Sequence, residues 1–257
     1  MPRVVAVYRL ALSALFCAVC GSAQPISLAA RDAFNLGVRE LQAGQFRSAA
    51  ASFTKAVERA PNLLNARIYL AAAWVQAYRP DDASAENAEV ARFAFEACLE
   101  VLKRDPKNVA ATDSMATLYF QMREFVRARE WNLKVLSLDP NSKTSLHMLG
   151  AIIWSEFSLT LREAREIAGM APEDAGPLKD AALREELKAT YRKTLEDGIE
   201  FARAALDLDA GYARAMLTMA DLLRARAELG DEATYAADMA EAAAWGERGA
   251  RASVPNK

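Results

Sequence analysis

The residue types that usually carry catalysis are scarce in this chain of 257 residues. His147 is the only histidine, so a metal site with several histidine ligands is excluded and a Ser/His/Asp relay has a single candidate base. The sequence contains neither a Gly-x-Ser-x-Gly nucleophile elbow nor a phosphate-binding glycine loop. We therefore predict no catalytic residue, no metal and no cofactor, and a protein that is not an enzyme. The alternative is a hydrolase that uses His147.

Cysteines and clustered acids do not add a site. Cys17 and Cys20 lie in an apolar N-terminal segment, so Cys98 is the only thiol in the rest of the chain and cannot form an internal disulfide. The acidic stretch at residues 81–86 lacks the Asp-x-Asp-x-Asp-Gly spacing and the distal glutamate of a calcium loop. We predict that this stretch is a loop in which Asp82 or Ser84 caps the following helix.

The N-terminal segment has the three-part pattern of a secretory signal peptide. Arg3 and Arg9 precede the apolar run Leu10–Cys20, and the small residues Gly21, Ser22 and Ala23 follow it. The run has 11 residues, whereas a helix needs about 20 to span a bilayer. We predict a signal peptide over residues 1–23, cleaved after Ala23, and a periplasmic or secreted protein. Retention of the segment as an anchor is the alternative.

The composition favours a soluble helical protein without a nucleic-acid partner. Glycine (11) and proline (9) are few, and Ala, Leu, Glu and Arg are abundant, which favours helices. Cleavage of the predicted signal peptide would remove Arg3 and Arg9, which leaves 30 of the 32 basic residues against 34 acidic ones. The sequence shows no cluster of basic residues that could bind a nucleic acid. If the segment is cleaved, the mature chain could still associate peripherally with a membrane through a partner. The sequence is also compatible with a protein that forms oligomers.

A period of 34 residues sets the spacing of the helices. Apolar segments end at Pro61, Pro106 and Pro140, the last two of which are 34 residues apart, and each proline stops a helix. In the segment before Pro61, small residues are interspersed with large apolar ones at defined positions: Leu36, Gly37, Gly44, Phe46, Ala49, Phe53, Ala56. Small residues let two amphipathic helices cross closely, large ones fill the space beside the crossing, and Gly44 permits the turn between the helices.

This pattern resembles the tetratricopeptide repeat (TPR) family. The resemblance implies an all-α fold in which helical hairpins stack into a right-handed superhelix, with one domain over residues 24–257. Its repeats would span residues 30–63, 64–108, 109–142, 143–212 and 213–246. The third repeat departs from the family pattern at Arg123, where glycine is usual, and at Asn132, where an aromatic residue is usual. Cys98 falls at a position that the family fills with a large buried side chain, so we predict a buried thiol.

Two repeats are longer than 34 residues. The second repeat carries an insertion near residues 79–87, and the fourth carries a larger one. Apolar residues in the fourth repeat recur every three or four positions and predict one helical stripe: Leu183, Leu187, Tyr191, Leu195, Ile199, Ala202, Leu206. We predict that residues 157–195 form a long helical arm, which either projects from the repeats or folds back over them.

The resemblance also implies where a partner would bind. In this family the first helix of each pair lines the inner surface, and ligand contacts come from fixed positions on it. The matching residues here are Asn35, Tyr69, Gln76, Asp113, Thr117, Gln121, His147, Trp154, Arg214, Asp221 and Arg224. For Tyr69 and Trp154, packing between neighbouring repeats is the alternative. We predict a non-enzymatic scaffold that binds a peptide or protein segment in this concave groove. The alternative is a structural element that self-associates through residues 157–195.

Overall fold

The computed structural model describes residues 26–253, which form ten α-helices and no β-strand. The helices are α1 (Leu28–Gln42), α2 (Phe46–Arg59), α3 (Leu64–Ala77), α4 (Ala85–Arg104), α5 (Val109–Gln121), α6 (Phe125–Leu138), α7 (Lys143–Ile167), α8 (Ala181–Leu208), α9 (Ala213–Glu228) and α10 (Glu232–Ala252). Within residues 26–253, no helix has the length and apolar character needed to cross a membrane. The predicted signal peptide and its cleavage site lie outside the described residues.

Capping side chains fix where several helices begin. Ser84 Oγ accepts a hydrogen bond from the Asn87 amide at 3.2 Å and caps α4, as the sequence predicted for Asp82 or Ser84. Asn108 caps α5 in the same way. The helices α3, α5, α7 and α9 begin at the residues where the 34-residue frames start. Each helix packs against the next one along the chain, α3 packs on α5, and α7 packs on α9. The predicted all-α stack of hairpins is confirmed.

Two turns between paired helices share one backbone geometry but differ in the residue at its centre. Gly44 (φ 72°) connects α1 to α2, and Arg123 (φ 59°) connects α5 to α6. In both turns the amide of this residue donates to the carbonyl three positions earlier at 3.0 Å. Glycine adopts the left-handed region freely, whereas another residue there costs about 1–3 kcal/mol. The departure seen in the sequence at Arg123 is therefore a site of backbone strain.

The buried core falls into separate groups along the stack. Phe53 is fully buried near the N-terminal end and lies against Gly37, where an added Cβ would be 2.7 Å from the Phe53 ring. Cys98 is also fully buried, as predicted, in a group that joins α3, α4 and α5. The largest group joins α7, α8, α9 and α10 and starts at Ile153. None of these core groups within the described chain spans both α5 and α7.

Helices α7 and α8 form a long fourth pair, and the turn that joins them is attached to the end of α9. Helix α7 has 25 residues and α8 has 28, and the predicted apolar stripe faces the core along α8. Arg165 near the end of α7 forms a 2.6 Å ion pair with Glu228 at the end of α9, and the Leu178 amide donates to the Glu228 carbonyl at 2.9 Å. The predicted arm is thus packed against the fifth pair and does not stand free of it. Asp180 caps α8, and Arg184 donates to the Leu178 carbonyl, so the ion pair that the i,i+4 spacing of Asp180 and Arg184 would allow is not formed.

Candidate functional site: a cleft between α5 and α7

The residues predicted to contact a partner differ in their exposure. We call the surface of α1, α3, α5, α7 and α9 that carries them the first-helix face. The exposed ones are Asn35, Tyr69, Gln76, Arg214 and Arg224. The half-buried ones are Asp113, Thr117, Gln121, Trp154 and Asp221. His147 alone is buried.

His147 lies inside the fold and not on the first-helix face. Its side chain is 8% exposed and meets the edge of the Tyr212 ring at a centroid distance of 5.4 Å. Burial, helped by the positive charge of Arg214, lowers the pKa of His147 to about 4. Its Nδ1 has no hydrogen-bond partner within residues 26–253. A neutral, enclosed imidazole offers a partner little to bind.

Tyr69 also packs against neighbours, although part of it remains exposed. Its ring lies 5.2 Å from Phe34 and 5.4 Å from Phe53, measured between centroids, so it joins the first pair of helices to the second. This is the packing role that the sequence left open for Tyr69. Its exposed edge still contributes to the first-helix face.

Carboxylates on the first-helix face are partly desolvated. Burial raises the pKa of Asp113, which makes no ion pair with any described residue. Burial also raises the pKa of Asp221, although Asp221 pairs with Arg224 at 2.9 Å. The positive charge of Arg224 opposes that rise.

Gln121 and Trp154 come together in an open cleft. Helices α5 and α7 make almost no direct contact, whereas α3 packs on α5 and α7 packs on α9. Helix α7 is held by α6, α8 and α9. A cleft of about 620 Å³ lies beside the end of α5. Its lining is Pro80, Phe120, Gln121, Arg123, Phe125, Trp154, Ser155, Ser158 and Leu159.

Both insertions in the sequence border this cleft. Helix α7 has 25 residues and α5 has 13, so α7 is longer by about 18 Å at 1.5 Å per residue. Trp154 and Leu159 lie on this longer helix, and Pro80 comes from the insertion between α3 and α4. Phe120 and Phe125 close one side, with their ring centroids 5.9 Å apart.

Polar groups surround the aromatic lining. Arg123 forms a 3.1 Å ion pair with Asp81, and Arg129 pairs with Glu156 between α6 and α7. Gln121 Oε1 is enclosed and has no hydrogen-bond donor among the described residues, a state that costs free energy. The cleft thus combines aromatic surface with a few fixed polar groups, as binding sites commonly do.

Sequence reasoning found two of the residues in the cleft and missed the rest. Gln121 and Trp154 were predicted from the family pattern, whereas Pro80, Phe120, Phe125 and Leu159 were not. The two insertions are a signal for Pro80 and Leu159, which they contain, but they were interpreted only as a loop and an arm. Phe120 and Phe125 lie outside both insertions, and no sequence signal marked them.

The chain is similar to solved structures of helical repeat proteins. It matches a thermophilic TPR protein of Thermus thermophilus with 14% identity and a TM-score of 0.51, over 87% of this chain and 98% of that one. PilF of Pseudomonas aeruginosa matches with 16% identity and a TM-score of 0.55, over 89% and 78%. MamA of Desulfovibrio magneticus matches with 14% identity and a TM-score of 0.52, over 88% and 96%. No family model and no curated protein matches the sequence. These likenesses establish the tetratricopeptide fold that the sequence pattern indicated.

Proposed function

We propose that this chain of tetratricopeptide fold is a non-enzymatic scaffold that binds a peptide or protein segment of a partner. The observation that carries the proposal is the aromatic cleft between α5 and α7. Its volume of about 620 Å³ falls within the range of sites that enclose a ligand group, about 300–1,000 Å³. Aromatic side chains dominate binding energy at protein interfaces. Phe120, Phe125 and Trp154 supply three of them at one place.

The first-helix face extends the proposed site with polar contacts. Asn35, Gln76 and Thr117 offer amide and hydroxyl groups to a peptide backbone. Asp113 has a half-buried carboxylate without a cation beside it among the described residues, so a basic side chain of the partner would gain from pairing with it. The partner segment would thus use the cleft for affinity and this face for orientation.

An envelope or secreted location is part of the proposal. The signal-peptide pattern of residues 1–23 supports it. Cell fractionation and the mass of the N-terminal peptide test it together. We expect a mature chain that begins at Gln24 in the envelope or the medium. A cytoplasmic chain that begins at Met1 would contradict the export proposal and leave the binding proposal in place.

Selection of peptides from a phage-displayed library of random dodecapeptides tests the binding proposal. We expect peptides that bind the chain Gln24–Lys257, and we expect Trp154→Ala to weaken the best of them by about tenfold or more, which is about 1.4 kcal/mol. Trp245→Ala is the matched control, because Trp245 lies on α10 away from the cleft and stacks on Arg248. Failure to select any peptide, or equal losses in the two variants, would contradict the proposal.

Self-association through residues 157–195 is the second candidate function. Ile167 at the end of α7 is 73% exposed and Leu159 is also exposed, although the opposite side of the hairpin packs on α9. Light scattering decides this case. A dimer that Ile167→Glu converts to a monomer supports self-association, and a monomer at all concentrations contradicts it.

A further inference from the structure

Two more hollows adjoin the cleft around the loop between α3 and α4. One follows α4 and has a volume of about 490 Å³. Most of its lining surface is apolar and comes from residues such as Tyr78, Ala91, Phe95, Leu99 and Met122. Its lining also includes the polar residues Asp82, Ser84, Asn87, Arg92 and Glu96. The other has a volume of about 280 Å³. It shares Tyr78 and Met122 with the α4 hollow, and Gln121 and Arg123 with the cleft. The middle hollow therefore adjoins both of the others through shared lining residues.

The middle hollow is polar, whereas the two outer ones are largely apolar. Asp81 and Arg123 both line the middle hollow and form the 3.1 Å ion pair. They are also the two non-glycine residues of the described chain with left-handed backbones, at φ 65° and 59°. Strained residues of this kind are concentrated at ligand contacts and active sites. Each side chain is more than half exposed, so each keeps hydrogen-bonding capacity that the ion pair does not use.

We infer that the three hollows form one channel for an extended partner segment with an apolar side chain at each end. This inference rests on the proposed function and specifies the class of partner. One apolar side chain would enter the cleft beside Trp154, and the other would lie in the α4 hollow beside Leu99. Between them, the Asp81 carboxylate accepts from a backbone N–H and the Arg123 guanidinium donates to a backbone carbonyl.

The lining favours an extended segment over a helix. A docked helix buries one straight stripe and offers no free backbone N–H or carbonyl in its middle. Here a different element lines each hollow in turn: α7 lines the cleft, the α3–α4 loop lines the middle hollow, and α4 lines the α4 hollow. The α4 hollow runs from Ala88 to Leu99, which is about 16 Å of helix, or about five residues of extended peptide. The apolar–polar–apolar order of the channel therefore matches an extended chain with two apolar anchors.

Four variants test the channel with the best dodecapeptide from the selection, made synthetically and measured by fluorescence anisotropy. Leu99→Glu places a charge in the α4 hollow, and Leu133→Glu is its matched control, because Leu133 on α6 is exposed to a similar degree (49% against 53%) but lies outside the channel. We expect Leu99→Glu to weaken binding about tenfold and Leu133→Glu to leave it within about twofold. Trp154→Ala reports on the cleft itself.

Arg123→Gly separates a role in binding from a role in folding. The variant removes the ion pair with Asp81 and restores the glycine that the equivalent turn has at Gly44. We expect a higher melting temperature together with about tenfold weaker binding, whereas a merely structural Arg123 would leave the affinity unchanged.

Each outcome of these measurements bears on one of the two proposals. Loss of binding in Trp154→Ala, Leu99→Glu and Arg123→Gly supports the channel. Loss in Trp154→Ala alone, with Leu99→Glu or Arg123→Gly at wild-type affinity, overturns the channel and leaves the cleft as the binding site. Full affinity in Trp154→Ala overturns the proposed function as well.

Discussion

The single histidine makes the pH dependence of stability a direct test of the packing between α7 and α9. His147 is enclosed against Tyr212, and burial together with Arg214 lowers its pKa from 6.5 to about 4 in the folded chain. The perturbation that we consider is His147→Phe. It keeps an aromatic ring beside Tyr212. It removes the titration and also the Nδ1 atom, which has no hydrogen-bond partner in the described part of the chain.

The sign of the effect follows from proton binding. Between pH 6.5 and about 4 the unfolded chain holds a proton on His147 and the folded chain does not, so a lower pH favours unfolding. The contribution of neutral His147 to the free energy of unfolding is fully present above pH 6.5. It is lost as the pH falls from 6.5 to about 4. The two pKa values correspond to a loss of about 2 kcal/mol at pH 5 and about 3 kcal/mol below pH 4. Asp113 and Asp221 have raised pKa values and act in the opposite direction, but wild type and variant share them.

Urea unfolding followed by far-UV circular dichroism at pH 7.5 and at pH 5 measures this difference. We expect the wild-type chain to lose about 2 kcal/mol more than His147→Phe between the two pH values. The comparison uses the change with pH, so a different stability of the variant at pH 7.5 does not affect it. Equal pH dependence of the two chains would refute the reasoning and show that His147 is solvated.

Three further changes test the packing of the helices by urea unfolding. Gly37→Ala places a Cβ 2.7 Å from the Phe53 ring and should cost about 1–3 kcal/mol, so an unchanged stability would contradict the close crossing of α1 and α2. Phe53→Ala should cost about 3–5 kcal/mol, and a loss below about 1 kcal/mol would show that Phe53 is not in the core. Arg165→Ala leaves Glu228 without its ion-pair partner and should cost about 3 kcal/mol. The same variant should speed cleavage by trypsin after Lys179, and wild-type resistance would contradict attachment of the long hairpin to α9.

The stack of hairpins was predictable because its determinants are local. A proline stops a helix wherever it occurs, so Pro106 and Pro140 fix the spacing without knowledge of the fold. Gly37 precedes Phe53 in the same hairpin, and the structure explains the pair, since the Phe53 ring fills the space that a Cβ of residue 37 would occupy. The cap at Ser84 depends on residues three positions apart and was equally visible.

The cleft and the position of the long hairpin were not predictable, because distant contacts decide them. The separation of α5 from α7 depends on how α7 packs on α6 and α9. Arg165 and Glu228 are 63 residues apart in the sequence, so no local pattern predicts the ion pair that helps to attach the hairpin to α9. His147 fits the pattern of a lining residue, but Tyr212 covers it, and no local signal reveals that contact.

A crystal structure of the chain Gln24–Lys257 with the best selected dodecapeptide tests the central claim most directly. We predict that α5 and α7 stay apart and that an apolar side chain of the peptide lies against Phe120 and Trp154. A structure in which α5 and α7 pack together, or in which the peptide binds away from this cleft, would contradict the account.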